Sequence, residues 1–143
     1  MDVAESFWLQ LAELAHAGRI RSIDRVKAEL YTNQDTLTDW CNDQLPDDFW
    51  LPSGSAIRQY ATLMTWANNL NHFTPDALKE FARAENADAW LVAKAMEVEC
   101  SVATHERNDP KAKGRVMIPV VCASQRVDSC NTMEMFRRLG VRF

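Results

Sequence analysis

Residues 87–106 read Ala-Asp-Ala-Trp-Leu-Val-Ala-Lys-Ala-Met-Glu-Val-Glu-Cys-Ser-Val-Ala-Thr-His-Glu, and their reading decides the fold class. Leu91, Val92, Ala95 and Met96 recur at helical spacing, so a helix is expected over 87–97. The character changes at Cys100. Residues 101–104 are short, largely apolar and bounded by polar residues, as in a buried strand. A helix that leads into a buried strand points to an α/β chain rather than a helical bundle.

Working back from this stretch, the first hundred residues read as helices in series. Residues 5–17 carry Phe7, Trp8, Leu11, Leu14 and Ala15 on one face, and Gly18 follows as a C-terminal stop. Ser22 is expected to cap a second helix, with Asp24 in its first turn and Ile23, Val26 and Leu30 on one side. Residues 35–44 form a short third helix with Leu37, Trp40 and Cys41 inward. Pro46 and Pro52 bound a loop that contains Phe49 and Trp50. Helical spacing returns over 53–70. Thr74-Pro75-Asp76 is a strong helix start, with a capping hydroxyl, a proline at the first position and then an acid. No strand is expected before residue 100, although an open parallel sheet normally alternates strand and helix from its beginning.

Working forward, 106–115 is a polar loop, 116–118 a second strand and 119–125 a short helix entered at Pro119. Residues 127–130 form a third strand. Asn131 opens a last helix, with Glu134 completing a capping box and Gly140 ending it.

The whole chain has 143 residues, enough for one domain with a real core, and its 47% hydrophobic and 25% charged content is ordinary for a globular protein. The longest apolar run, 116–123, is broken by Pro119 and is far short of a membrane span. An acidic opening, Met-Asp-Val-Ala-Glu, is unlike a signal peptide. Cys41, Cys100, Cys122 and Cys130 form no close pair, which reads as buried, reduced thiols in a cytoplasmic protein. The net charge of −4 argues against a general coat for nucleic acid, but it hides a division. Residues 105–143 hold 8 of the 16 basic side chains and only 4 of the 20 acidic ones. That asymmetry marks either a surface for a polyanion or a solvated loop and helix end.

Three carboxylates stand out. Asp88 lies at the start of its helix in register with Leu91, Val92 and Ala95, as a cap, a first-turn anion or a metal ligand at the mouth of a sheet. Glu29 falls at the edge of an apolar stripe, where the plain reading is a surface acid paired with Arg25. Glu106 follows the expected strand, a position that lines the ligand crevice of open α/β folds, and Thr104 is a turn hydroxyl beside it. The alternatives are weaker. His16, His72 and His105 match no zinc spacing, no glycine-rich phosphate loop exists, and the thiols read as inert. Trp8, Trp40, Trp66 and Trp90 are core by default, and Trp50 is the one expected near a surface.

Three stretches carry a family resemblance. They are Gly18 to Tyr31 followed by 35–40; Ala87 to Ala95 followed by Ser101 to Glu106; and Val116 to Cys122 followed by Asn131 to Phe143. Together, in this order, the chain resembles PIN-like domain proteins of the toxin–antitoxin ribonuclease type, within the domain of unknown function 4411 group. The resemblance implies a helix-rich α/β domain over 1–143 with a small parallel sheet. It implies Mg²⁺ or Mn²⁺ held by an acidic cluster, an RNA substrate and an antitoxin partner. Carried over by position, Glu29, Asp88 and Glu106 are the expected metal and catalytic acids, with Thr104 beside them as a substrate-binding hydroxyl. The basic residues Arg107, Lys111, Lys113 and Arg115, with Arg137 and Arg138, are then expected to contact the RNA backbone.

The family begins with a strand ending in an aspartate, and this chain starts beyond that element. Its first strand is therefore expected to be absent, which leaves an incomplete sheet whose edges favour a homo-oligomer or a bound partner. Asp2 is no substitute, because no apolar strand precedes it. The expected function is a metal-dependent ribonuclease. Its alternative is a non-catalytic PIN-like protein that acts through protein–protein interaction.

Overall fold

The computed structural model describes residues 3–141. The acidic opening at Met1 and Asp2, and the close of the third stretch at Arg142 and Phe143, lie outside the described residues.

Helix α1 (Val3–His16) ends as expected at Gly18, whose φ of +75° is the left-handed turn that favours glycine. Strand β1 (Ser22–Ile23) leads into α2 (Asp24–Tyr31) and α3 (Thr36–Gln44). After a helical turn at Asp47–Phe49 comes β2 (Trp50–Leu51). A second turn, Gly54–Ala56, opens onto α4 (Ile57–Asn69), and α5 (Pro75–Phe81) follows. Thr74 caps α5 by accepting from the Ala77 amide, as the sequence foretold. Then come α6 (Ala87–Val98), β3 (Val102–Ala103), α7 (Ile118–Ser124), β4 (Ser129–Cys130) and α8 (Thr132–Arg138). The fold is helix-rich α/β with small parallel sheets.

The sheets correct the sequence reading in two ways. Two strands precede residue 100, and the strands form two separate pairs rather than one sheet. β1 runs parallel to β2, with Ser22 opposite Trp50 and Ile23 opposite Leu51. β3 runs parallel to β4, with Val102 opposite Ser129 and Ala103 opposite Cys130. Ser22 is thus a ladder residue and not a helix cap. The expected strand at 116–118 does not form among the described residues. Met117 is extended only as the residue that introduces α7, and the Ile118 amide is taken by Glu106 instead of a neighbouring strand.

Helix α6 is the centre of the molecule. Ala87, Ala89, Trp90, Val92, Ala93, Lys94 and Ala95 are all buried, a pattern expected of a helix packed on most sides. It packs against α2, α4, α7, β1 and β3. Leu63 and Ala67 of α4, Phe81 of α5, and Val121 and Cys122 of α7 complete its core with Val92 and Ala93. Trp90 is buried as well, stacked on Tyr60, but Trp8 is not, being 40% exposed on α1 beside Trp40. Trp50 is half-buried, edge-on to Phe49 and Tyr31. Cys41 and Cys122 are buried as expected, whereas Cys130 is half-buried and Cys100 exposed.

Two polar nodes fix α6 to the first half of the chain. Ser53 is fully buried; its hydroxyl donates to Asp24 (2.6 Å) and accepts from Arg25 Nε (3.0 Å). The Arg25 guanidinium also lies 4.1 Å above the Trp90 ring. At the other node the buried Lys94 reaches Glu97 (2.6 Å) and Ser55 (3.1 Å), and the Ser55 hydroxyl donates to Glu97 as well. Hydrogen bonds from Lys94 and then Ser55 hold the Glu97 carboxyl below its usual range. A depressed carboxylate stabilises the fold above its unfolded pKa and loses that contribution as pH falls. The melting temperature is therefore expected to drop as pH falls below the ordinary glutamate value of 4.5. In Glu97→Gln that acid limb should be flatter by a few degrees. Superimposable pH profiles for the two proteins would contradict the assignment.

Candidate functional site

The amino end of α6 gathers the acids. A helix start exposes unpaired amides and a partial positive charge, so it attracts oxygen acceptors. Asn86 caps α6 through its side chain, which accepts from the Asp88 amide (2.9 Å). Glu29, in the last turn of α2, reaches across to accept from the Ala87 amide (2.8 Å). This replaces the expected pairing with Arg25, which is committed to Ser53, the Ala84 carbonyl and Trp90. Asp88 is the first-turn acid of α6 rather than its cap.

Glu106 arrives from the end of β3. The Thr104 hydroxyl accepts from the Glu106 amide (3.1 Å), which turns the chain and aims the carboxylate back at the fold. Its two oxygens divide their work. Oε2 accepts from the Ile118 amide (2.9 Å) at the start of α7, and Oε1 accepts from Arg115 Nη2 (2.8 Å). The same guanidinium nitrogen lies 3.6 Å from Asp88 Oδ2. Arg115 thus bridges Glu106 and Asp88 from a position 61% exposed to solvent.

Burial raises the Asp88 pKa above the usual aspartate range. The negative charge of Glu106 adds to the rise, Arg115 opposes it, and Glu29 and Glu80 push it further up. Such a group, desolvated and crowded by like charges in a cleft, is characteristic of a functional site. The cleft has a volume of about 490 Å³, and Glu29, Glu80, Arg83, Asn86, Asp88 and Arg115 line it. Glu80 escaped the sequence reading. It lies on the short helix α5 in an i,i+3 pair with Arg83 (3.3 Å), which in sequence resembles any solvated surface pair.

A second cavity of about 620 Å³ has Glu106 in its lining, with Thr104, Arg107 and Cys130. Lys111 and Lys113 line neither cavity. Their backbones anchor the loop: the Lys111 amide donates to Asp109, and the Lys113 carbonyl accepts from Thr74. Arg137 and Arg138 are ion-paired, the first with Glu134 and the second with Glu134 and Asp128. Two of the expected RNA contacts are therefore engaged with carboxylates, and Arg115 is a third.

In donor chemistry the acids suit a hard divalent ion, since Mg²⁺ and Mn²⁺ take carboxylate oxygens. Their present geometry is looser than a closed metal site. Among the described residues no three His, Cys, Asp or Glu side chains stand close enough to hold an ion. Arg115 instead supplies the counter-charge. The competing chemistries fall away on contacts. His16 and His72 donate to the carbonyls of Gln44 and Ala112, and His105 shares a hydrogen bond with Thr132. Burial pushes the Cys122 thiol up to about 11, which makes it a poor nucleophile.

Among the described residues, no helix is long and apolar enough to cross a membrane. Comparison with known families finds a match over residues 1–143 to one described as a domain of unknown function, DUF4411. No curated protein and no solved structure matches the chain.

Proposed function

The chain belongs to the DUF4411 family, and on that premise we propose that it is a PIN-type, metal-dependent ribonuclease acting as the toxin of a toxin–antitoxin pair. The observation that carries this reading is the arrangement of Glu29, Asp88 and Glu106 about the start of α6: Glu29 sits on the amide next to Asp88, and Arg115 reaches both Asp88 and Glu106. The three acids come from three separate elements, yet Glu29 and Glu106 both raise the Asp88 pKa. These are the residues that the resemblance to PIN-like proteins marks in the sequence. Asp88, Glu106 and Glu29 would hold Mg²⁺ or Mn²⁺. When bound, such an ion supplies a Lewis acid for a phosphoryl oxygen and lowers the pKa of a coordinated water.

The chain's own residues do the rest. Glu29 stays fixed by the Ala87 amide and Glu106 by the Ile118 amide, so neither needs to be reorganised from solvent. Arg115 and Arg83 both line the cleft, and their guanidinium groups would be the contacts for a substrate phosphate there. In this role the protein is cytoplasmic, takes RNA as substrate and is neutralised by an antitoxin protein.

A second reading makes the chain a non-catalytic PIN-like protein that acts through a protein partner or its own copies. One observation favours it: Arg115 already pairs with Glu106 and approaches Asp88, so part of the acidic charge is met without an ion. Incubating the purified chain with RNA and Mg²⁺ or Mn²⁺ separates the two. The ribonuclease reading expects cleavage that EDTA abolishes. Cleavage that persists in EDTA would overturn the metal assignment, and no cleavage with either ion would leave the interaction reading standing.

A further inference from the structure

We infer that the second cavity, at the carboxyl ends of β3 and β4, is a subsite for one nucleotide of single-stranded RNA adjoining the cleavage centre. Its place beside a cleavage centre rests on the ribonuclease reading above; the binding itself does not. Ligands of open α/β folds sit in the crevice beyond the carboxyl ends of parallel strands. Thr104 follows β3, while Cys130 and Asn131 close β4, and all three line this cavity. Its volume of about 620 Å³ lies within the range of small-ligand sites. Glu106 lines it too, and the Glu106 carboxylate is tied to Arg115, which lines the acidic cleft. One bonded residue pair thus links the linings of the two spaces.

Charge selects the ligand class. Arg115, Arg137 and Arg138 are committed to carboxylates, whereas Arg107 has no ion pair among the described residues and faces this cavity. A free guanidinium lining a cleft is a fork for a phosphate. The remaining lining suits a base. Met133, 54% exposed, offers a polarizable apolar surface, and the Asn108 amide presents both a donor and an acceptor. A base enters such a recess only when it is unstacked, so the site favours single strands over duplex.

Fluorescence anisotropy with a labelled single-stranded RNA oligonucleotide in EDTA tests this without cleavage or metal. Arg107→Ala is expected to weaken binding roughly 5- to 10-fold and to lower the salt slope by about 0.7, the share of one single-strand phosphate contact. Met133→Ala should weaken it several-fold with the slope unchanged. Arg58→Ala removes an exposed charge on α4 outside both cavities and should change affinity less than 2-fold, roughly, since distant screened charges count little. Duplex RNA of the same sequence should bind more weakly. Equal losses for Arg107→Ala and Arg58→Ala, no loss for Arg107→Ala, or equal affinity for duplex would each overturn the subsite. Cleavage measured separately with Mg²⁺ reports on the ribonuclease reading alone, so either can fail while the other stands.

Discussion

Asp88→Asn is expected to make the fold more stable while removing divalent-dependent RNA cleavage. The two effects share a cause. In the folded chain the Asp88 carboxyl is desolvated and faces Glu106, Glu29 and Glu80, with Arg115 only partly offsetting them. Its pKa is raised, so the folded state binds its proton more tightly than the unfolded chain does. For a raised carboxyl the linkage runs opposite to that of Glu97. The fold gains stability as pH falls through the folded pKa, and at neutral pH the charged form is a liability. Asparagine keeps the shape and removes the charge, and Arg115 retains its shorter bond to Glu106. The melting temperature at pH 7 should rise by a few degrees, and the gap should close in acid. Cleavage should fall at least about 100-fold, because even outer-shell partners of metal ligands typically cost 10- to 100-fold. A lower melting temperature would refute the electrostatic account, and undiminished cleavage would refute the role. On the ribonuclease reading Asp88 costs stability and supplies activity, the usual trade at a working site.

Trp90→Ala is expected to be the most damaging single substitution in the α6 core, at roughly 3–5 kcal/mol. The ring is only 7% exposed. Tyr60 of α4 stacks on it with centroids 4.1 Å apart and planes 15° from parallel, and Arg25 of α2 lies over it at 4.1 Å. Truncation leaves a large void and also removes a cation–π contact of about 0.5–2 kcal/mol. Arg25 would keep Ser53 and the Ala84 carbonyl but lose the surface that orients it. For a chain of this length the loss corresponds to a drop of roughly 10 °C or more in melting temperature. Urea denaturation should show a lower midpoint with an unchanged slope. Trp90→Phe retains an aromatic face and should cost clearly less. A cost under about 1 kcal/mol for the alanine variant would show that the stack is incidental.

Much of the helical framework can be read locally. Thr74-Pro75-Asp76 announces α5, Gly18 marks the end of α1, and Asn131 caps α8 by accepting from the Glu134 amide. Only half of the expected capping box forms there, since the Glu134 carboxylate turns to Arg137 and Arg138. The strands before residue 100 are illegible for a physical reason. β1 and β2 are two residues each, too short for any alternation to register, and they are specified by a partner far along the chain. The site divides in the same way. Asp88 is visible because its helix start is visible. Glu29 is seen as a position but not as a partner, since a nearby Arg25 is the local choice and the true donor is the distant Ala87 amide. Arg115 is legible as a basic loop residue, while its bond to Glu106 depends on the turn that Thr104 builds.

The central place of α6 has a consequence for when the acidic cleft exists. β1 pairs with β2 inside the first fifty-odd residues, and β3 with β4 inside the last forty-odd. Each half closes its own sheet, and α6 touches a strand of both. Glu29 belongs to the first half, Glu106 to the second, and Asp88 to α6 itself. The contacts that place these carboxylates, Glu29 on the Ala87 amide and Arg115 between Glu106 and Asp88, therefore form only while both halves are docked on one helix. Anything that pries either half away would dismantle the cleft without touching an acid.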